Sequence, residues 1–211
     1  MDREAHWEKA YRSKSPTEVS WYTPHLEESL RLIEEVASPD ARVIDVGGGA
    51  STLVDDLLAV GHSHLSVLDI SGTALERARE RLGARADLVN WIRSDVTSVE
   101  LAPESFDVWH DRAVFHFLID EMDRKKYVAN LVRSVVPGGH AIIGTFAPNG
   151  PERCSGLDVR RYDASTLHAE LGDGFELGAA LEMTHVTPGG NPQRFAITRF
   201  RKRFATRGLA E

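Results

Sequence analysis

The chain lacks the features that would place it in several large protein classes. It has one cysteine, Cys154, in 211 residues, so no intrachain disulfide can form and a reducing compartment, the cytoplasm, is expected. No apolar run approaches the roughly 20 residues that span a bilayer. The opening Met1–Lys14 stretch is charged throughout and has no apolar core of the kind a secretory signal carries. Lys and Arg number 25 against 32 Asp and Glu, a formal net charge of −7. Backbone-driven nucleic-acid binding requires the opposite balance, which argues against it as the main role. Internal repeats and low-complexity tracts are absent. His62 and His64 have the spacing of a metal pair, but no third ligand is near them in the chain, and no metal is expected.

What the chain does have is a globular composition, 42% hydrophobic and 27% charged, suited to one mid-sized domain. Residues 1–38 read as a helical extension, with a second helix from about Pro24 to Ala37 carrying Leu26, Leu30 and Ile33. Residues 39–204 form the main domain and 205–211 a tail. From Ala41 onward strands alternate with helices. Strands are expected over Ala41–Val46, His64–Asp69, Leu88–Arg93, Phe106–His110 and His140–Phe146. Helices are expected over Ser51–Val60, from the cap Ser71 to Leu82 with Glu76 in its first turn, and over Asp123–Val136 up to Pro137-Gly138-Gly139. Phe175–Thr187 and Arg194–Arg203 flank a Thr-Pro-Gly-Gly-Asn-Pro turn and read as a hairpin. The pattern predicts a doubly wound, Rossmann-like α/β sheet of seven strands, mostly parallel with a C-terminal antiparallel hairpin strand, and with helices on both faces.

The most informative segment is Val43–Ser51, in which Gly47, Gly48 and Gly49 lie between a buried strand and a helix. Such a turn lets backbone approach a ligand, and the helix start offers unpaired N–H groups. A dinucleotide G-x-G-x-x-G beginning at Gly47 would need glycine at 52, where Thr52 stands, and one beginning at Gly48 fails at Ala50.

Ile44-Asp45-Val46-Gly47-Gly48-Gly49 resembles the first motif of class I S-adenosylmethionine-dependent methyltransferases, with Ser51 in place of the third glycine. Asp69-Ile70 at the end of strand two, Ser94-Asp95-Val96 after strand three, Phe106-Asp107-Val108 and Val136-Pro137-Gly138-Gly139 follow in the family's order. The resemblance covers about residues 38–204. It implies S-adenosyl-L-methionine as cofactor, Asp69 beside the ribose, Asp95 near the adenine amino group, and Asp45 toward the amino-acid end. Taken alone, Asp69 and Asp95 are equally compatible with plain strand-end turns.

The segment Trp109–Phe117 is expected to leave strand four where the methyl group would be delivered. Asp111, His110 and His116 are the catalytic candidates for taking up a proton from an amine acceptor, with Arg112 beside the cofactor. The alternative is that Asp111 pairs within its loop and His116 packs at the sheet edge. His6, Trp7, Tyr11, Trp21 and Tyr22 crowd the extension with aromatics, which suits either a lid over the cofactor or an anchor onto the core. The Trp-x-x-x-Tyr start also resembles methyltransferases acting on lysines of elongation factor 1A and citrate synthase, although Asp111-Arg112-Ala113 stands where those carry Asp-Lys-Gly. The expected function is methyl transfer to a small molecule or a protein side chain, nitrogen favoured. The rivals are a cofactor-binding scaffold without catalysis and, less favoured, an NAD-dependent oxidoreductase. Cys154 reads as an inert thiol. Arg199, Arg201, Lys202, Arg203 and Arg207 read as a solvated strand face and tail.

Overall fold

A computed structural model describes residues 2–13, 15 and 17–204. Two helices, α1 (Arg3–Ser13) and α2 (Glu27–Glu34), precede β1 (Arg42–Val46). Then follow α3 (Leu53–Ala59), β2 (His64–Asp69), α4 (Gly72–Leu82), β3 (Val89–Arg93), β4 (Phe106–Arg112), α5 (Glu121–Ser134) and β5 (Val135–Phe146). A two-residue-strand hairpin, β6 (Arg153–Cys154) and β7 (Leu157–Asp158), leads to α6 (Ala164–Leu171), β8 (Phe175–Val186) and β9 (Pro192–Lys202). The main sheet runs β3-β2-β1-β4-β5-β9-β8, parallel from β3 to β5 and antiparallel across β5–β9 and β9–β8. This is the predicted seven-stranded architecture. Among the described residues no helix is long and apolar enough to cross a membrane.

Burial explains the order. Val43, Ile44 and Val46 on the central β1 are at most 1% exposed, as a strand covered on both faces requires. One core layer joins Trp109, Tyr127, Leu131 and Phe200; the other joins Leu32, Ile33, Leu53, Leu57 and Ile142. α3 buries one face, Leu53, Val54 and Leu57.

Several boundaries differ from the sequence expectation, each for a local reason. β4 runs two residues past His110 because Asp111 and Arg112 still pair with Val46 and with Ile143 and Gly144 on the flanking strands. Val136-Pro137-Gly138-Gly139 does not separate helix from strand. The chain turns extended at Val135, and a register jump from Phe106–Val135 to Val108–His140 lets the proline sit in a bulge of β5 without breaking the ladder. Glu76 is not in the first turn of α4, which contains no acid. That place is filled from outside the helix: Glu8 on α1 accepts from Thr73 N (3.2 Å), Thr73 Oγ1 (2.6 Å) and Ser71 Oγ (3.2 Å). Ser71 caps α4 as expected, accepting from Ala74 N. The α6 helix lacked an apolar period strong enough to predict it. Its Asp163–Thr166 capping box was the available signal.

Candidate active site

The C-terminal ends of the parallel strands open into a cleft with about 880 Å³ of empty space, part of it continuous with solvent. Ligands in doubly wound sheets bind at this edge. The sequence-predicted residues Trp7, Tyr11, Trp21, Gly47, Asp69, Ile70, Ser94, Asp95, Val96 and Arg112 all line it. Asp45, Gly48 and Ser51 line a smaller pocket that shares Trp21, Gly47 and Arg112 with the cleft.

The glycine turn and the end of β2 are built as one unit. Gly47 has φ +70°, and a Cβ there would lie 2.0 Å from Val114 Cγ2. Gly49 N donates to Asp69 Oδ2 (3.0 Å), while Ser71 N donates to Asp69 Oδ1 (2.8 Å). A Cβ on Gly49 would meet Asp69 Oδ2 and Ala74 Cβ, both at 2.5 Å. The Asp69 carboxylate therefore ties the loop to the start of α4 and still presents lone pairs to the cleft. Burial pushes its pKa up to about 6, against the pull of the two backbone donors.

Asp45 Oδ1 accepts from His110 Nδ1 (2.7 Å), and His110 Nε2 reaches Ser29 Oγ on α2 (2.9 Å). Asp45 Oδ2 is buried without a hydrogen-bond partner, beside the smaller pocket. Asp95 is turned toward protein groups. Its carboxylate accepts from Thr97 N (2.8 Å) and pairs with Arg3 of α1 (3.0 Å).

The three catalytic candidates do not reach the cleft. Side chains alternate along β4, which sends Trp109 and Asp111 to the α5 face and His110 to the α2 face. Asp111 is fully buried and accepts from Val114 N (2.8 Å), Phe115 N (3.0 Å) and Tyr127 Oη (2.7 Å). Tyr127 in turn accepts from Trp109 Nε1 (2.9 Å). Burial raises the Asp111 pKa to about 6. His110 is locked between Asp45 and Ser29. His116 is fully buried between Phe117 and Phe146, its Nδ1 accepting from Phe146 N (3.3 Å); burial, reinforced by Arg112, lowers its pKa to about 3. The expectation that these groups face the acceptor is corrected accordingly. They brace the strand that carries the site. Only Arg112, at the strand's last position, projects toward ligand space.

The aromatics of the extension form a roof. Trp7 meets Trp21 (5.8 Å), Phe117 (5.0 Å) and Tyr11 (6.3 Å) ring to ring, and Tyr11 is buried. Polar contacts pin this roof down: Glu8 at the start of α4, and Arg3 on Asp95 and Asp123. Lid and anchor are thus one structure. Glu8→Ala removes three hydrogen bonds at the α4 N-terminus. We expect S-adenosylhomocysteine affinity to fall about 5- to 30-fold, a loss of ~1–2 kcal/mol, and amide exchange in residues 3–13 to quicken while the sheet stays protected. Unchanged affinity and exchange would leave the roof's position independent of Glu8.

Sequence reasoning missed the far wall of the cleft. Phe117, Phe146, Cys154, Gln193 and Phe195 line it. Cys154 is placed there by a hairpin whose Ser155-Gly156 turn has φ +51° and +80°. Burial raises its thiol pKa, so it stays protonated. The C-terminal basic residues disperse into local contacts: Arg203 with Glu176, Arg199 with Glu35, and Lys202 with the carbonyls of Val132 and Val135. Arg207 lies outside the described residues.

A parallel sheet of this order, with a glycine turn after β1 and an acid ending β2, defines the class I methyltransferase fold. Residues 44–143 match the profile of a methyltransferase domain family, and together with the relatives that follow this supports a class I S-adenosylmethionine-dependent methyltransferase. It is 26% identical over 116 residues to the eEF1A lysine and N-terminal methyltransferase of Mus musculus, covering 55% of this chain and 16% of that protein. It is 31% identical over 116 residues to Nodulation protein S of Rhizobium tropici, covering 55% of this chain and 48% of that protein. The chain thus spans less than half the length of these curated relatives. In fold it resembles the N-methyltransferase NodS of Bradyrhizobium japonicum in complex with S-adenosyl-L-homocysteine, with a TM-score of 0.72, 18% identity, and coverage of 95% of this chain and 99% of that one.

Proposed function

We propose that the chain binds S-adenosylmethionine in this cleft and transfers its methyl group to a small-molecule acceptor in the cytoplasm. The observation that carries the reading is Asp69, whose carboxylate is fixed by Gly49 and Ser71 at the mouth of the glycine turn. Asp69 accepts the ribose hydroxyls. Ile70, Ser94, Asp95 and Val96 flank the adenine. Gly47, Gly48, Gly49 and Ser51 admit the amino-acid end, and the free Oδ2 of Asp45 receives its ammonium. When bound, the cofactor supplies an electrophilic methyl group on a sulfonium. The protein's own contribution is to align the acceptor and exclude water beneath Trp7, Tyr11 and Trp21. That roof encloses the acceptor end with aromatic rings, which favours a small apolar acceptor over a flexible protein side chain. Thr52 opposes NAD, since it stands just before α3, its hydroxyl donating to Thr23 O (3.1 Å), where a dinucleotide turn needs glycine.

Calorimetry tests the reading. S-adenosylhomocysteine should bind and NAD should not, and Asp69→Ala should weaken binding at least about tenfold through loss of charge-assisted bonds. Protonation of Asp69 removes acceptor capacity, so affinity should fall as pH drops through about 6. Asp69→Asn should abolish that dependence. Preference for NAD overturns the assignment, and binding without any methyl transfer to cell-extract fractions favours the scaffold rival.

A further inference from the structure

We propose that the acceptor is a small apolar molecule whose nucleophile is an acidic S–H or O–H group, bound and methylated as its anion against Arg112. The proposal rests on the methyltransferase reading above and deepens it to a substrate class.

The cleft divides by strand. Among the described residues its lining carboxylates are Asp69, at the end of β2, and Asp95, just after β3. The half formed by the ends of β4, β5 and β9 with the roof contains no carboxylate, histidine or lysine among the described lining residues. Its walls are Trp7, Trp21, Phe117, Phe146 and Phe195. Its polar groups are Arg112, Gln193, the Cys154 thiol and, from α1, Arg3 and the Tyr11 hydroxyl, a phenol that burial keeps protonated. A methyl acceptor that arrives protonated must lose its proton to a base, and this half holds none. His116 is sealed behind Phe117 and Phe146, and Asp111 is spent on three donors. An ammonium would also be placed beside a cation with nothing to balance it.

Arg112 has the environment of an anion receptor. Its Nη1 donates to Trp21 O (3.0 Å) and its guanidinium lies 5.3 Å from the centre of the Phe195 ring. No carboxylate lies within ion-pair distance of it among the described residues. The charged and titratable groups around it are Asp45 on β1, His116 after β4, Cys154 on β6 and His185 on β8. Of these, Asp45 is bound to His110 and His185 to Ser20 O. A desolvated guanidinium with open donors recognises an anion. The Gln193 side-chain amide, which makes no hydrogen bond among the described residues, supplies a second contact, and the aromatic walls fit a flat body. The step balances without a protein base. The acceptor's proton leaves to solvent before binding. The anion's electron pair then forms the bond to the methyl carbon while the carbon–sulfonium bond breaks, and that pair remains on sulfur. Charge is neutralised as the reaction proceeds.

The test uses full-length protein saturated with S-adenosylhomocysteine and two probes of one size, 4-nitrothiophenol and 4-nitrobenzylamine. By calorimetry the thiolate should bind and the ammonium should not, and binding should weaken as pH falls below the thiol's pKa. With each variant saturated in S-adenosylhomocysteine, Arg112→Met should weaken thiolate binding at least about tenfold and Arg112→Lys less. With labelled S-adenosylmethionine the thiol should take up label and the amine should not. Tighter binding or faster labelling of the amine, no binding of either probe, or thiolate binding indifferent to Arg112→Met overturns the proposal. Loss of S-adenosylhomocysteine binding in both Arg112 variants assigns the guanidinium to the cofactor instead and also overturns it. Failure of the parent protein to bind S-adenosylhomocysteine sinks the underlying methyltransferase reading as well.

Discussion

Asp111→Ala is expected to destabilise the protein by about 3–5 kcal/mol, because it strips the acceptor from three buried donors at once. Tyr127 Oη, Val114 N and Phe115 N all converge on this carboxylate, and Trp109 Nε1 is held one bond further out. The carboxylate is fully buried, so bulk solvent does not stand in for it. For a domain of this length the loss corresponds to roughly 6–20 °C in melting temperature. Asp111→Asn keeps one acceptor oxygen but turns an amide N–H₂ toward donors, so a smaller loss, about 1–3 kcal/mol, should follow. The ratio of effects identifies the role. A group that takes a proton from the acceptor would lose turnover by orders of magnitude at unchanged melting temperature in the Asn variant. A brace loses melting temperature first, and turnover only as far as the unfolded fraction and the displaced Arg112 require. A normal melting curve for Asp111→Ala would refute the bracing role.

The contrast between Asp111 and Asp69 shows what the chain discloses on its own and what it withholds. Strand and helix alternation, the glycine turn and the hairpin depend on neighbours within a few residues, and these were legible: β2 begins and ends where its apolar run does, and Gly83 stops α4. Asp69 was legible for the same reason, since a strand end followed by a helix cap fixes where its carboxylate points. The roles of His110, Asp111 and His116 were not. They depend on which face of β4 each residue occupies and on Tyr127 and Ser29, which come from α5 and α2. Glu8 is a second case. The acid at the α4 N-terminus is 65 residues away in the chain, so a search of the helix's own first turn settled wrongly on Glu76. The place of Cys154, Gln193 and Phe195 on the cleft wall was not legible because each belongs to a local pattern, a tight turn or a hairpin strand, that has no chemical signature until the sheet edge brings them together.

Substitution in the glycine turn should produce the largest loss of cofactor affinity without unfolding the chain. Gly47→Val forces a β-branched residue into φ +70°, at a cost of about 1–2 kcal/mol, and drives its Cβ to within 2.0 Å of Val114 Cγ2. Either the turn or the Val114 side chain must move to relieve that overlap, and both line the cleft. Together the strain and the displaced backbone should weaken S-adenosylhomocysteine binding at least about a hundredfold, equivalent to ~2.7 kcal/mol. Gly49→Ala acts by a second route. Its methyl would collide with Ala74 Cβ on the first turn of α4 and with Asp69 Oδ2, levering away the carboxylate proposed to hold the ribose. Gly61→Ala is the control. It shares a positive φ, +95°, but has nothing within 4 Å and lies far along the chain from the turn, so it should pay the backbone strain in melting temperature and leave affinity intact. If Gly47→Val and Gly61→Ala lower stability alike but neither changes binding, the glycine turn is only a fold element and the cofactor lies elsewhere.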